Sequence, residues 1–160
     1  MSKIKLNVVR TTKDMIFDCV FLILTVAIWG IIAWLISRAP DIVPTHFGAS
    51  GKPDAWGSPT FIIIPSLIMT AVALFCAFSI YFPIASLNLP LVDGPGNERQ
   101  KRLGVLLSRI IGLLTLIIML FIAIYSLAMK NHDSILPVVI ILSAVFGVTI
   151  VFTVMIYRAK

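Results

Sequence analysis

Charge, cysteine and histidine are scarce in this chain of 160 residues. Only 12% of its residues are charged, against about 25% in a soluble domain, which excludes an ordinary solvated globular surface. Glutamate occurs once, as Glu98, and no apolar segment carries a pair of carboxylates. His-Glu-x-x-His is also absent, which argues against an intramembrane metalloprotease. The two cysteines, Cys19 and Cys76, fall inside apolar runs, where cysteine behaves as a small hydrophobe, so no structural disulfide is expected. No cofactor motif is present, and Ser58 lacks the Gly-x-Ser-x-Gly context of an activated nucleophile.

What the chain has in quantity is hydrocarbon. Hydrophobic residues make up 59% of it and arrive in long runs rather than at helical or strand periods. About 20 apolar residues at 1.5 Å rise cross a hydrocarbon core of about 30 Å. Four runs reach that length: residues 15–37, 60–82, 105–129 and 135–157. Lipid leaves backbone groups no outside partner, so each run should be helical. The expected fold is all-α: one integral membrane domain over residues 1–160, a bundle of four transmembrane helices with an ordered extracytoplasmic loop between the first and second. The first run exceeds a signal-peptide core, and no small-x-small cleavage site follows it, so it is expected to be retained.

Thirteen Lys and Arg outnumber seven Asp and Glu, yet their placement points to topology rather than nucleic acid. Lys3, Lys5, Arg10 and Lys13 precede the first run, Arg99, Lys101 and Arg102 lie between the second and third, and Arg158 and Lys160 follow the fourth. The other two connections hold only Arg38, Lys52 and Lys130. The positive-inside bias then places both termini in the cytoplasm and residues 38–59 and 130–134 outside. Basic residues at the inner leaflet suit anionic lipid head groups as partners. The segment Glu98-Arg-Gln-Lys-Arg102 reads as a solvated turn.

Two fully charged residues fall inside the runs, Asp18 and Arg109. Both lie about one turn in from the same side, which suits an intramembrane ion pair clipping the first helix to the third, since unpaired charge at that depth is costly. The functional alternative makes Asp18 a proton or cation carrier. Small residues repeat four apart at Gly104, Ser108 and Gly112, at Ser143 and Gly147, and at Ala73 and Ala77, a spacing that lets helices approach closely. Four thin helices leave self-association or a larger membrane partner open.

The connection Pro40 to Phe61 reads PDIVPTHFGASGKPDAWGSPTF. Its four prolines forbid continuous helix. Gly48, Gly51 and Gly57 are expected to supply positive-φ positions, and Asp54 to accept bonds from amides two or three residues onward. Phe47 and Trp56 suit the membrane interface. His46 and Asp54, helped by Asp41 or by His132 and Asp133, offer metal-ligand chemistry, although their spacing matches no ligand pattern. The simpler expectation is that they hydrogen-bond the loop into shape, with His46 adding pH sensitivity because histidine titrates near neutrality.

This string resembles the signature of a bacterial membrane family known as domain of unknown function 1648. That pattern is roughly Pro-x-His-[Phe/Trp]-x-x-x-Gly-x-Pro-Asp-x-[Trp/Tyr]-Gly-Ser after a first transmembrane helix. It maps here onto Pro44, His46, Phe47, Gly51, Pro53, Asp54, Trp56, Gly57 and Ser58, within a motif region of about 15–82. The same module begins SdpI-like immunity proteins, which protect bacteria against a secreted envelope toxin and signal with a repressor; no second segment of that type is recognised after it here. The resemblance implies a non-enzymatic protein of the bacterial plasma membrane, whose outward loop meets a secreted peptide, a toxin or another membrane protein. Two alternatives stand beside it. One is a small transporter or transporter accessory subunit using Asp18 and Arg109; the other is a metal-dependent membrane enzyme centred on His46 and Asp54.

Overall fold

A computed structural model describes residues 10–48, 50–81, 98–128 and 136–159. The chain is mostly helical, with four helices long and apolar enough to cross a membrane. Helix α1 spans Thr12–Arg38. Strands β1, Val43–Phe47, and β2, Pro53–Gly57, pair antiparallel as a hairpin. A 3₁₀ turn over Pro59–Ile62 runs into α2, Ile63–Ala77. Helix α3 spans Glu98–Leu127 and α4 spans Leu136–Arg158.

Local chemistry sets these limits. Thr11 opens α1 with a reciprocal capping box: its hydroxyl accepts from the Asp14 amide, and its own amide donates to the Asp14 carboxylate. The helix stops where Ala39 precedes Pro40, because a residue before proline is pushed out of the helical region; Ala39 sits at φ −68°, ψ 151°. Ser58 caps the 3₁₀ turn through the Thr60 amide at 3.4 Å, with Pro59 supplying a first position that needs no N–H.

Two helices differ in extent from the apolar runs. Helix α2 ends at Ala77 rather than at residue 82 and is followed by a further 3₁₀ turn, Ser79–Tyr81. Helix α3 begins at Glu98 rather than at residue 105, so the charged segment Glu98–Arg102 forms its first turns instead of a solvated turn. For α3 the cause is that a count of apolar residues sees only the part of a helix inside hydrocarbon, whereas the backbone ladder continues into the head groups.

The helices alternate in direction around α3. Near its start α3 meets the beginning of α1, where Arg109 touches Asp14 and Asp18. Near its end it meets the hairpin, through Tyr125 and Ser126. Gln100, at the beginning of α3, donates to the Ile156 carbonyl at 3.2 Å, near the end of α4. The core runs along this axis: Phe21, Ile28 and Ile32 of α1 pack with Leu116, Met119 and Ala123 of α3, and Val43 and Ile62 close it beneath the hairpin.

Small residues govern the α2–α3 contact. A Cβ on Gly112 would lie 2.9 Å from the Ala73 carbonyl oxygen and 3.3 Å from the Ala77 amide nitrogen. One turn earlier, the Ser108 hydroxyl donates to the Cys76 carbonyl at 2.9 Å. Two of the expected ladders therefore meet face to face, as close backbone approach in lipid requires. At Gly104 and Gly147 a Cβ would meet nothing within 4 Å among the described residues. Between α1 and α2, the Trp29 indole N–H donates to the Thr70 hydroxyl at 3.0 Å.

Large apolar side chains lie exposed along the helices, among them Ile23 and Val26 on α1, Ile64 and Ile68 on α2, and Phe146 and Ile150 on α4. In water such a surface would aggregate; facing acyl chains it needs no partner. This is the surface of a multi-pass membrane protein.

Candidate functional site

The hairpin gathers all nine motif residues between α1 and the 3₁₀ turn. Across its mouth, Gly48 N–H donates to the Lys52 carbonyl and Gly51 N–H to the Gly48 carbonyl, both at 2.9 Å. Gly51 alone among the described glycines has a positive φ, at 80°, the left-handed region that a side chain disfavours. Gly48 and Gly57 serve differently from expectation, through lack of a side chain rather than through positive φ. A Cβ on Gly48 would come within 3.2 Å of Asp54 Oδ2, and one on Gly57 within 3.1 Å of Thr45 Cγ2.

His46 and Asp54 face one another across the strands, with Nδ1 2.5 Å from Oδ1. Asp54 thus pairs with His46 rather than capping amides downstream. A carboxylate only accepts hydrogen bonds, so Nδ1 carries the shared proton. Both side chains are open, His46 at 70% and Asp54 at 52% exposure, so solvent screens the pair and its value lies in orientation more than stability. Among the described residues no group of three or more His, Cys, Asp or Glu side chains gathers as a metal site. His132 and Asp133 lie outside the described residues.

The remaining motif residues fix the hairpin to the bundle or present it. The Pro44 carbonyl accepts from the buried Ser126 hydroxyl of α3, which satisfies an acceptor that would otherwise be stranded at the helix end. The Phe47 ring lies 5.1 Å from that of Tyr125. Pro53 pairs with Phe47 and Trp56 with Pro44 in the strand register. Trp56 is 59% exposed, as is neighbouring Ile42 at 65%. Ser58 is the cap described above. On α1, the Arg38 guanidinium carbon lies 5.8 Å from the Trp34 ring centroid, a cation–π contact at the same end.

At the opposite end lies a second polar cluster. Asp18 and Arg109 do meet, with Oδ1 and Nη2 at 3.4 Å, but the shorter contact is Asp14 Oδ1 to Arg109 Nη1 at 2.5 Å. Asp14 belongs to α1, so this helix carries two carboxylates one turn apart, where none was expected. Asp14 also accepts from the Thr11 amide and hydroxyl at 2.7 Å each. Asp18 accepts from the Tyr81 hydroxyl. The Arg109 guanidinium stacks on Phe17, 4.6 Å to the centroid, while its Nε is buried without a hydrogen-bond partner among the described residues. Desolvation, and next the Asp18 carboxylate, push the Tyr81 phenol above its ordinary range, which keeps it a donor. Of this cluster, sequence reasoning found Asp18 and Arg109 and missed Asp14 and Tyr81. The Thr-x-x-Asp capping-box signature at Thr11–Asp14 was the available signal for the first; Tyr81 had none.

Residues 23–70 match the family model described as domain of unknown function DUF1648. The matched segment takes in most of α1, the whole hairpin and the first half of α2, and so contains every motif residue from Pro44 to Ser58. No curated protein and no solved structure matches the chain.

Proposed function

We propose that this is a non-enzymatic protein of the bacterial plasma membrane, SdpI-like in role, whose hairpin faces outward and binds a secreted peptide, a toxin or another membrane protein. The observation that carries this reading is the pairing of a fixed base with an open surface. Two contacts to α3, Ser126 to Pro44 and Tyr125 to Phe47, hold the hairpin, while His46, Asp54 and Trp56 remain exposed on it. Rigid presentation reduces the ordering cost of binding, and tryptophan is enriched among the residues that dominate binding energy.

Orientation follows from charge. Arg10, Lys13, Arg99, Lys101, Arg102 and Arg158 lie at the helix ends remote from the hairpin, against Arg38 and Lys52 beside it. The positive-inside bias then puts the termini in the cytoplasm.

Deleting the protein should sensitise cells to a secreted peptide. His46→Ala with Trp56→Ala should abolish protection while the protein stays in the membrane; full protection by that double variant would refute the hairpin as the binding surface. The second reading, a small transporter or transporter accessory subunit, is favoured by the buried Asp14, Asp18 and Arg109. It requires Asp18→Asn to remove ion-coupled flux with the hairpin intact.

A further inference from the structure

The two strands of the hairpin differ in what their outer edges meet. At Pro44 both sides of β1 are occupied: β2 lies on one, and on the other the Ser126 hydroxyl of α3 donates to the Pro44 carbonyl. Opposed residues of an antiparallel ladder alternate between pairs that exchange N–H···O bonds and pairs that turn those groups outward. Pro44 is opposed to Trp56, and Val43 to Gly57, in regular register; the irregularities begin beyond Pro44. Proline has no N–H to exchange, and the Pro44 carbonyl is directed at α3. Pro44 and Trp56 are therefore an outward pair.

It follows that the Trp56 N–H and C=O point away from β1, to the open side of β2. Among the described residues no backbone group outside the hairpin bonds to them. Val43 is buried in the core, so alternation sets the neighbouring Trp56 side chain on the opposite, outer face of the ribbon. Trp56 is 59% exposed there. The edge is short and begins with Pro53 and Asp54, a proline and a charge that blunt a strand against long pairing. An added strand is thereby limited to a few residues about Trp56. A ribbon of only two strands is marginal by itself and gains from a third.

We infer that the hairpin takes its ligand by strand addition: an extended peptide segment lies along the open edge of β2, and one of its residues exchanges both main-chain bonds with Trp56. This rests on the reading of the hairpin as the binding surface and names the conformation that the ligand adopts there. The exchanging residue sets its side chain on the outer face beside the indole, a position that suits a β-branched or aromatic residue. Main-chain bonds supply affinity, and that one side chain supplies selectivity.

The test uses the full chain in lipid nanodiscs with isotope-labelled tryptophan; the probes are heptapeptides selected on it from a random synthetic library. Trp29 and Trp34, inside α1, serve as internal references for amide hydrogen exchange. The Trp56 amide should exchange freely without peptide and about tenfold more slowly with it, while the references do not change. Methylating the peptide's own amides one at a time should weaken binding about tenfold at every second residue near the contact and little between them. Peptides that bind the His46→Ala, Trp56→Ala double variant as well as wild type would refute the hairpin as the binding surface, and this proposal with it, as would a library that yields no binder. Peptides that lose affinity for the double variant yet leave Trp56 exchange unchanged would overturn strand addition alone, in favour of recognition by side chains. A Trp56 amide already protected without peptide, and released as protein is diluted in lipid, would overturn it in favour of a second copy of the chain on the edge.

Discussion

Arg109 is bound more closely to Asp14 than to Asp18, at 2.5 Å against 3.4 Å. Asp14 is also the residue that closes the capping box of α1. One carboxylate thus starts a helix and anchors the buried arginine of another, whereas Asp18 divides its oxygens between Tyr81 and Arg109.

Removing Asp14 should accordingly cost more than removing Asp18. Stranding one member of a buried pair costs about 3–5 kcal/mol, and loss of a helix cap adds about 1 kcal/mol. Asp14→Ala is expected to show the sum of these, and Asp18→Asn distinctly less because an amide still accepts from Tyr81. Reversible unfolding in detergent micelles measures both; equal losses would contradict the ranking.

Gly112→Ala should destabilise the bundle by about 1–3 kcal/mol, because the added methyl meets the α2 backbone with nowhere to go. Gly104→Ala and Gly147→Ala meet no neighbour among the described residues and should be neutral or stabilising by up to about 1 kcal/mol, the helix-propensity gain. The same unfolding assay separates the three.

The hairpin turn depends on Gly51 at φ 80°. Gly51→Ala forces a side chain into the left-handed region at about 1–2 kcal/mol, and this strain should appear as faster hydrogen exchange of the Gly48 amide. Exchange in the α2–α3 contact should not change. Ser126→Ala should loosen the same hairpin from the other side by removing the donor to Pro44.

Tyr81 gives a pH dependence of definite sign. Its phenol is raised in the folded protein, so the native state holds that proton more tightly than the unfolded chain does. The stabilisation is complete below the unfolded value of about 10 and is lost as pH rises through the folded value. Asp18→Asn removes the negative charge behind part of the shift, so the phenol should titrate lower. Absorbance titration with Tyr125→Phe and Tyr157→Phe in the background reads this; an unchanged Tyr81 titration would contradict it.

The spans were legible because long apolar runs have few other readings: all four helices are present. Their ends were less so. Glu98–Arg102 looked like a turn because charge and helix are not exclusive at a head-group boundary, and Asp14 fell just outside the first apolar run for the same reason. The motif residues were legible as a set, yet their roles were not. Pro44 and Pro53 in short paired strands look like turn residues, and the His46–Asp54 contact depends on a register with two irregularities that spacing does not encode. The small-residue repeats were read correctly at Ser108, Gly112, Ala73 and Ala77, whereas Gly104 and Gly147 face no neighbour within 4 Å among the described residues, because periodicity names a face without naming what opposes it.

The central claim is that the hairpin faces away from the cytoplasm. Ala55, exposed on β2, can carry a single cysteine once Cys19 and Cys76 are replaced by serine and alanine. A membrane-impermeant thiol reagent added to intact cells should label that cysteine fully. Protection in intact cells, with labelling only after lysis, would contradict the account.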